Sequence, residues 1–191
     1  MEILKEKILK YGKVYPGNIL KVDNFLNHQI DIPLMAEIGE EFAKRFSHSK
    51  ATKILTVEAS GIAVACFVAK AMEINNILFA KKSTTKNLSK DIYTEKIMSY
   101  THGKVYDIFI CKDYINASDK VLIIDDFLAN GEAFRGLISL VEQAGAEVVG
   151  LGAVIEKGFQ GGGDKLRKAG YVVESLAIVD EMTDNSLIFR K

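Results

Sequence analysis

Residues 121–133 read Val121-Leu122-Ile123-Ile124-Asp125-Asp126-Phe127-Leu128-Ala129-Asn130-Gly131-Glu132-Ala133. The uninterrupted apolar run predicts a buried strand, and two adjacent carboxylates follow it directly. A turn of small residues then leads into a stretch of helical pattern, 132–143, which Ala144-Gly145 closes. A helix that starts this way offers unpaired backbone N–H groups and the positive end of its dipole. Together these make a seat for an anion, and phosphate is the usual occupant. Gly131 lets the backbone approach such a ligand closely. Two carboxylates at a strand end can accept hydrogen bonds from a vicinal diol, as in a ribose, and can hold Mg²⁺ indirectly through its waters. A strand ending in Asp with a helix cap behind it is the plainer alternative, and spacing alone leaves both open. Neither a Walker A loop nor the glycine fingerprint of dinucleotide-binding folds occurs in the chain.

Outward from this stretch the pattern is strand–helix alternation. Lys53–Val57, Ile77–Lys81, Val105–Cys111, Val148–Ile155 and Tyr171–Val179 read as further strands. Helices are expected at Gly61–Met72 and Asp164–Lys168. Before the alternation, residues 2–11 fit a short helix, 13–32 read as irregular or short-stranded, and a helix opens at Pro33 and runs to about residue 47. The fold class that follows is α/β: a mostly parallel central sheet with helices on both faces and ligands beyond the carboxyl ends of its strands. The 191 residues suit one domain, 1–191, with an N-terminal portion of about 1–50 and a core of about 51–180. Ser83–Gly103, rich in Lys, Ser and Thr without a clean period, reads as a lid or binding loop. Gly161-Gly162-Gly163 reads as a mobile turn.

Charge narrows the function classes. Lys plus Arg and Asp plus Glu both number 25, so bulk electrostatic binding of nucleic acid is not expected. No apolar run approaches a membrane span and the start lacks the pattern of a signal peptide, which predicts a cytoplasmic protein. Cys66 and Cys111 form no metal-binding cluster and are expected as reduced core residues; no protein-held metal site is predicted.

The stretch 121–133 resembles the phosphoribosyl-diphosphate (PRPP) motif of type I phosphoribosyltransferases: apolar residues, two acids, a short spacer, then usually Thr-Gly-x-Thr. The resemblance implies that Asp125 and Asp126 bind the ribose hydroxyls as catalytic acids and that Ala129, Asn130, Gly131, Glu132 and Ala133 wrap the 5′-phosphate. Asn130 and Ala133 stand where Thr is usual, so phosphate must rely more on backbone N–H groups and the Asn amide. Ala129 stands where hypoxanthine–guanine enzymes carry an Asp, which weighs against that specificity. The loop Leu-Ala-Asn-Gly-Glu-Ala is similar to the version in xanthine phosphoribosyltransferases.

By the same resemblance, Glu58-Ala59-Ser60-Gly61 is the diphosphate loop, Lys81 and Lys82 approach the diphosphate, and residues 83–103 are the flexible loop, with Lys86, Lys90 and Lys96 as candidates to screen the leaving group. Taken alone, the first is an ordinary strand-to-helix turn and the lysine pair a solvated strand end. Leu20 through Gln29 resembles the base-binding hood of the xanthine enzymes, which places Leu20 and Asn27 at the base. Lys157, after another strand, is the candidate contact to an oxopurine oxygen. Phe159 is read as either a stacking or a core residue, and His28 as a surface one.

The implied reaction is transfer of ribose 5-phosphate from PRPP to xanthine, with Mg²⁺ bound alongside PRPP and diphosphate, in a homodimer without nucleic-acid or membrane partners. Adenine phosphoribosyltransferase is the alternative within the enzyme class. A PRPP-sensing nucleic-acid-binding regulator is the alternative outside it.

Overall fold

The computed structural model describes residues 1–82, 91–99, 104–183 and 186–191. Helix α1 (Glu2–Tyr11) buries Leu4 and Ile8 against the core, and Gly12 ends it. Strands β1 (Lys13–Tyr15) and β2 (Ile19–Lys21) form a small antiparallel ribbon, followed by one wide helical turn, Asp23–Asn27. Helix α2 (Ile32–Arg45) starts where the sequence indicates: Asp31 caps it by accepting from the Leu34 N–H at 3.0 Å, and Pro33 sits in the first turn.

The alternating part follows as β3 (Lys53–Val57), α3 (Gly61–Ala71), β4 (Ile77–Ala80), β5 (Ile92–Ser99), β6 (Lys104–Cys111), β7 (Lys120–Leu128), α4 (Glu132–Gln143), β8 (Glu147–Lys157), α5 (Gly162–Lys168), β9 (Val173–Thr183) and β10 (Ser186–Phe189). Among the described residues, six strands make one sheet in the order β10-β9-β8-β7-β3-β4. All neighbours in it are parallel except β10 against β9. One face packs Leu122, Ile124 and Val154 against α1, α2 and α3 through Ile8, Phe42, Val64 and Val68. The other packs Ile123, Leu151 and Ala153 against α4 through Phe134, Leu137 and Val141. Burial on both faces is what a run such as Val121–Ile124 requires.

Several expectations are corrected. Strand β7 does not stop at Ile124; it continues through both acids to Leu128, because β8 runs alongside and pairs Asp125 with Ala153, Phe127 with Ile155 and Leu128 with Glu156. Residues 92–99, inside the expected lid, form β5, paired antiparallel with β6 and docked on α4. There Glu95 accepts from the Ser139 hydroxyl, Gln143 donates to the Thr94 carbonyl at 3.0 Å, and Ile97 is buried. Their polar, unperiodic sequence hides this because half of the strand faces solvent. Lys96 points into that solvent and pairs with Asp107 at 3.4 Å, while Lys86 and Lys90 lie outside the described residues. Cys66 is exposed and Cys111 half-buried, not core. Helix α3 is apolar almost all round, so composition could not say that Val64, Ala65 and Val68 face inward and Cys66 outward. Gly162 and Gly163 are buried in the first turn of α5 rather than mobile.

Candidate active site

At the carboxyl ends of β3, β7 and β8 the predicted elements come together. Asp125 and Asp126 end up 5% and 6% exposed, which for two adjacent carboxylates is a deliberate cost. Burial, then the charge of Asp126, pushes the Asp125 carboxyl well above the usual carboxylate range; the Lys82 ammonium opposes this. Asp125 Oδ1 accepts from the Asp126 N–H at 3.0 Å. Asp126 Oδ2 accepts from Asn27 Nδ2 at 3.0 Å, so the N-terminal segment reaches the acid pair directly.

The loop behind the acids takes the form an anion seat needs. Gly131 has φ +90°, a left-handed conformation that L side chains rarely adopt, and it directly precedes α4. Glu132 forms an ion pair with Arg135, and its N–H donates to Asn130 Oδ1 at 3.5 Å. Ala129 and Ala133 contribute backbone and small volume. The loop is braced from behind: the Gly162 N–H donates to the Ala129 carbonyl at 3.2 Å. A Cβ on Gly162 would stand 2.3 Å from that oxygen and 2.6 Å from Gly131 N.

A second loop, 58–60, runs from β3 to α3. Glu58 Oε1 accepts from the Lys82 N–H at 2.6 Å and the Glu58 N–H donates to Ala80 at 3.0 Å, which ties this loop to the end of β4. The Glu58–Ala59 peptide is cis. Ser60 precedes α3 without capping it through its side chain. Gly61 approaches the acids so closely that a Cβ on it would lie 2.5 Å from Asp125 Oδ1 and 2.1 Å from Thr56 Oγ1.

The two lysines diverge, as consecutive residues of an extended chain must. Lys82 lies over the Tyr106 ring at 5.4 Å, on the side of Asp125. Lys81 bridges to Phe109 through its backbone, and its ammonium lies 5.9 Å from the Phe79 ring. It lines a cavity of about 710 Å³ at the free edge of β4, together with Lys53, Asn76 and Tyr114 and away from the carboxylates.

On the far side, Lys157 ends β8. Its ammonium donates to the Asn18 carbonyl at 2.9 Å and lies 5.6 Å from the Phe127 ring. Burial holds its pKa below the ordinary lysine value. Neighbouring Glu156 is fully buried and neutralised by Arg167, through contacts of 2.9 and 2.7 Å, and by the Ser175 hydroxyl at 2.5 Å. Leu20 is buried with Val22, Phe25 and Leu26, so it presents little surface. Phe159 is exposed on the turn after Lys157 and His28 is exposed.

The structure therefore brings Asp125, Asp126, Asn27, Gly61, Lys82 and Glu58 together and sets Lys81 apart. Sequence reasoning missed Tyr106 and Thr56. Tyr106 faces Asp125 closely enough that, after burial, the Asp125 charge raises its phenol pKa. Neither residue carries a local motif; only the crossing of β3, β6 and β7 makes them neighbours. Among the described residues no three His, Cys, Asp or Glu side chains form a metal-binding group. No helix there is long and apolar enough to cross a membrane.

Comparison with known proteins agrees with this geometry. The model of the phosphoribosyl transferase domain matches residues 26–185. A xanthine phosphoribosyltransferase of Alkaliphilus metalliredigens is 54% identical over 190 residues, covering 100% of this chain and 94% of that protein. Xanthine phosphoribosyltransferase 1 of Clostridium perfringens is 55% identical with 100% of both chains covered. Among solved structures, APRTase from Giardia lamblia with 9-deazaadenine superposes with TM-score 0.78 at 20% identity, covering 94% of this chain and 98% of that one. At that identity the superposition speaks for the fold alone. The chain belongs to the phosphoribosyltransferase family.

Proposed function

We propose that the protein transfers the ribose 5-phosphate of PRPP to xanthine, giving xanthosine monophosphate (XMP) and diphosphate in purine salvage. The observation that carries this is the buried Asp125–Asp126 pair, set between the Gly131 turn and the loop at Glu58 and joined to the N-terminal segment by Asn27. Full-length identity to the two xanthine phosphoribosyltransferases supports the choice of base.

In this reading the N–H groups from Asn130 to Ala133 hold the 5′-phosphate, and the acids take the ribose hydroxyls. Loop 58–61 and Lys82 hold the diphosphate, with Lys81 as a more distant contributor. As the C1–diphosphate bond loosens, positive charge develops on the ribose ring beside Asp125. A buried carboxylate that is costly without a positive partner becomes favourable there, so the interaction is stronger in the transition state than in the ground state. Mg²⁺ supplies charge neutralisation of the diphosphate. The site fits an ion that arrives with its substrate, since Mg²⁺ is commonly held by one or two carboxylates, waters and substrate phosphates.

For the base, Lys157 donates to a purine carbonyl oxygen in place of the Asn18 carbonyl it meets now. Asn27 has spent an amide hydrogen on Asp126, and its Oδ1 is the acceptor that remains for a base N–H. Phe127 supplies apolar contact, and Leu20, buried beside Val22 and Phe25, backs the pocket from the core. The same lysine disfavours adenine, whose amino group is also a donor. Transfer to adenine is the alternative within the enzyme class. A cytoplasmic location is proposed with this function. Homodimer formation follows from family likeness and is checked by sedimentation.

The test is incubation with PRPP, Mg²⁺ and xanthine. XMP and diphosphate should appear in equal amounts; PRPP binding without turnover on any purine base would point instead to the regulator.

A further inference from the structure

Thr56 is fully buried on β3, and its hydroxyl has no hydrogen-bond partner among the described residues. A buried hydroxyl left unpaired is destabilising, and native structures rarely keep one without use for it. Valine has nearly the same shape, favours strands and would carry no such cost. The surroundings say what the hydroxyl serves. Thr56 Oγ1 and Asp125 Oδ1 flank the same point beside Gly61, at 2.1 and 2.5 Å from where a Cβ would stand. Gly61 therefore keeps open the gap between an unused donor and the carboxylate of the acid pair. Asp125 Oδ1 already accepts from the Asp126 N–H.

We propose that Thr56 is a positioning residue: its hydroxyl donates across the Gly61 gap to Asp125 when PRPP occupies the site, and so fixes the carboxylate under the ribose. The inference rests on the PRPP assignment of Asp125. It requires only rotation of the Thr56 side chain and a small shift of Asp125. An ionised carboxylate has about four acceptor positions, so the added bond does not compete with the one from Asp126. Any other side chain at position 61 would fill the gap and displace both groups.

The experiment compares Thr56→Val and Thr56→Ser with the parent, reading the melting temperature of the ligand-free protein, kcat, and KM for PRPP and xanthine. Thr56→Val should melt no lower than the parent. It should lose about tenfold in kcat/KM for PRPP, the effect of one hydrogen bond to a charged group, with KM for xanthine unchanged. Thr56→Ser, which keeps the hydroxyl, should recover most of that loss. Parental kinetics in Thr56→Val would overturn the proposal. So would a loss shared equally by Thr56→Ser and tracking a lowered melting temperature, which marks a packing role. A parent that turns over no PRPP would instead remove the functional assignment on which this stands.

Discussion

Asn27 and Asp126, 99 residues apart, are joined by a single hydrogen bond of 3.0 Å from the amide to the carboxylate. The segment expected to recognise the base thereby touches the pair expected to hold the sugar. In the proposed reading, base and PRPP binding are therefore coupled through this bond. Asn27→Ala should raise KM for both substrates and lower kcat/KM about tenfold, in line with one bond to a charged acceptor. A change confined to xanthine KM would show that the contact to Asp126 carries no weight.

Burial makes the Asp125 carboxylate destabilising to the fold near neutral pH. Its pKa in the folded protein is raised above the ordinary value of 3.8. A carboxyl shifted that way contributes stability fully below its unfolded pKa, and the contribution is lost as pH rises through the folded value. Asp125→Asn should therefore melt higher than the parent at neutral pH in the absence of ligand. The difference should shrink as pH falls through the folded value and vanish below 3.8, where the parent carboxyl is protonated in both states. Turnover should fall about a hundredfold or more. Thermal scans across pH, paired with a single activity assay, check both halves.

Gly162 braces the 129–133 loop from outside it. In Gly162→Ala the new methyl meets the Ala129 carbonyl and the Gly131 backbone, so the loop must move. Overpacking of this kind costs about 1–3 kcal/mol. KM for PRPP should rise while KM for xanthine stays near the parent value. Equal rises in both would mean that the whole site, not the loop, has shifted.

Glu156 sits fully buried against Arg167 and Ser175. Glu156→Ala leaves Arg167 without its buried partner. Breaking a buried pair costs about 3–5 kcal/mol, and the partial exposure of Arg167 places the expected loss at the low end. A melting temperature within a degree or so of the parent would refute this.

The acid pair, the Gly131 turn and the parallel alternation were legible because each is local: a buried run, two charges and a glycine lie within a dozen residues. Strand β5 was not, since its pairing with β6 and its docking on α4 are long-range and its outer face is polar. The role of Gly162 was hidden for the same reason, because a glycine run looks like a turn until the Ala129 carbonyl is placed beside it. The divergence of Lys81 from Lys82 and the meeting of Thr56 with Asp125 depend on how strand ends twist past one another.

The central claim is a catalyst that prefers xanthine, and its most direct test is kcat/KM for xanthine, guanine, hypoxanthine and adenine with saturating PRPP and Mg²⁺, in the parent and in Lys157→Met. The account predicts that the parent ranks xanthine first, and that Lys157→Met lowers the xanthine value by about tenfold or more while adenine changes little. A parent that ranks adenine first, or a Lys157→Met variant with undiminished preference for xanthine, would contradict it.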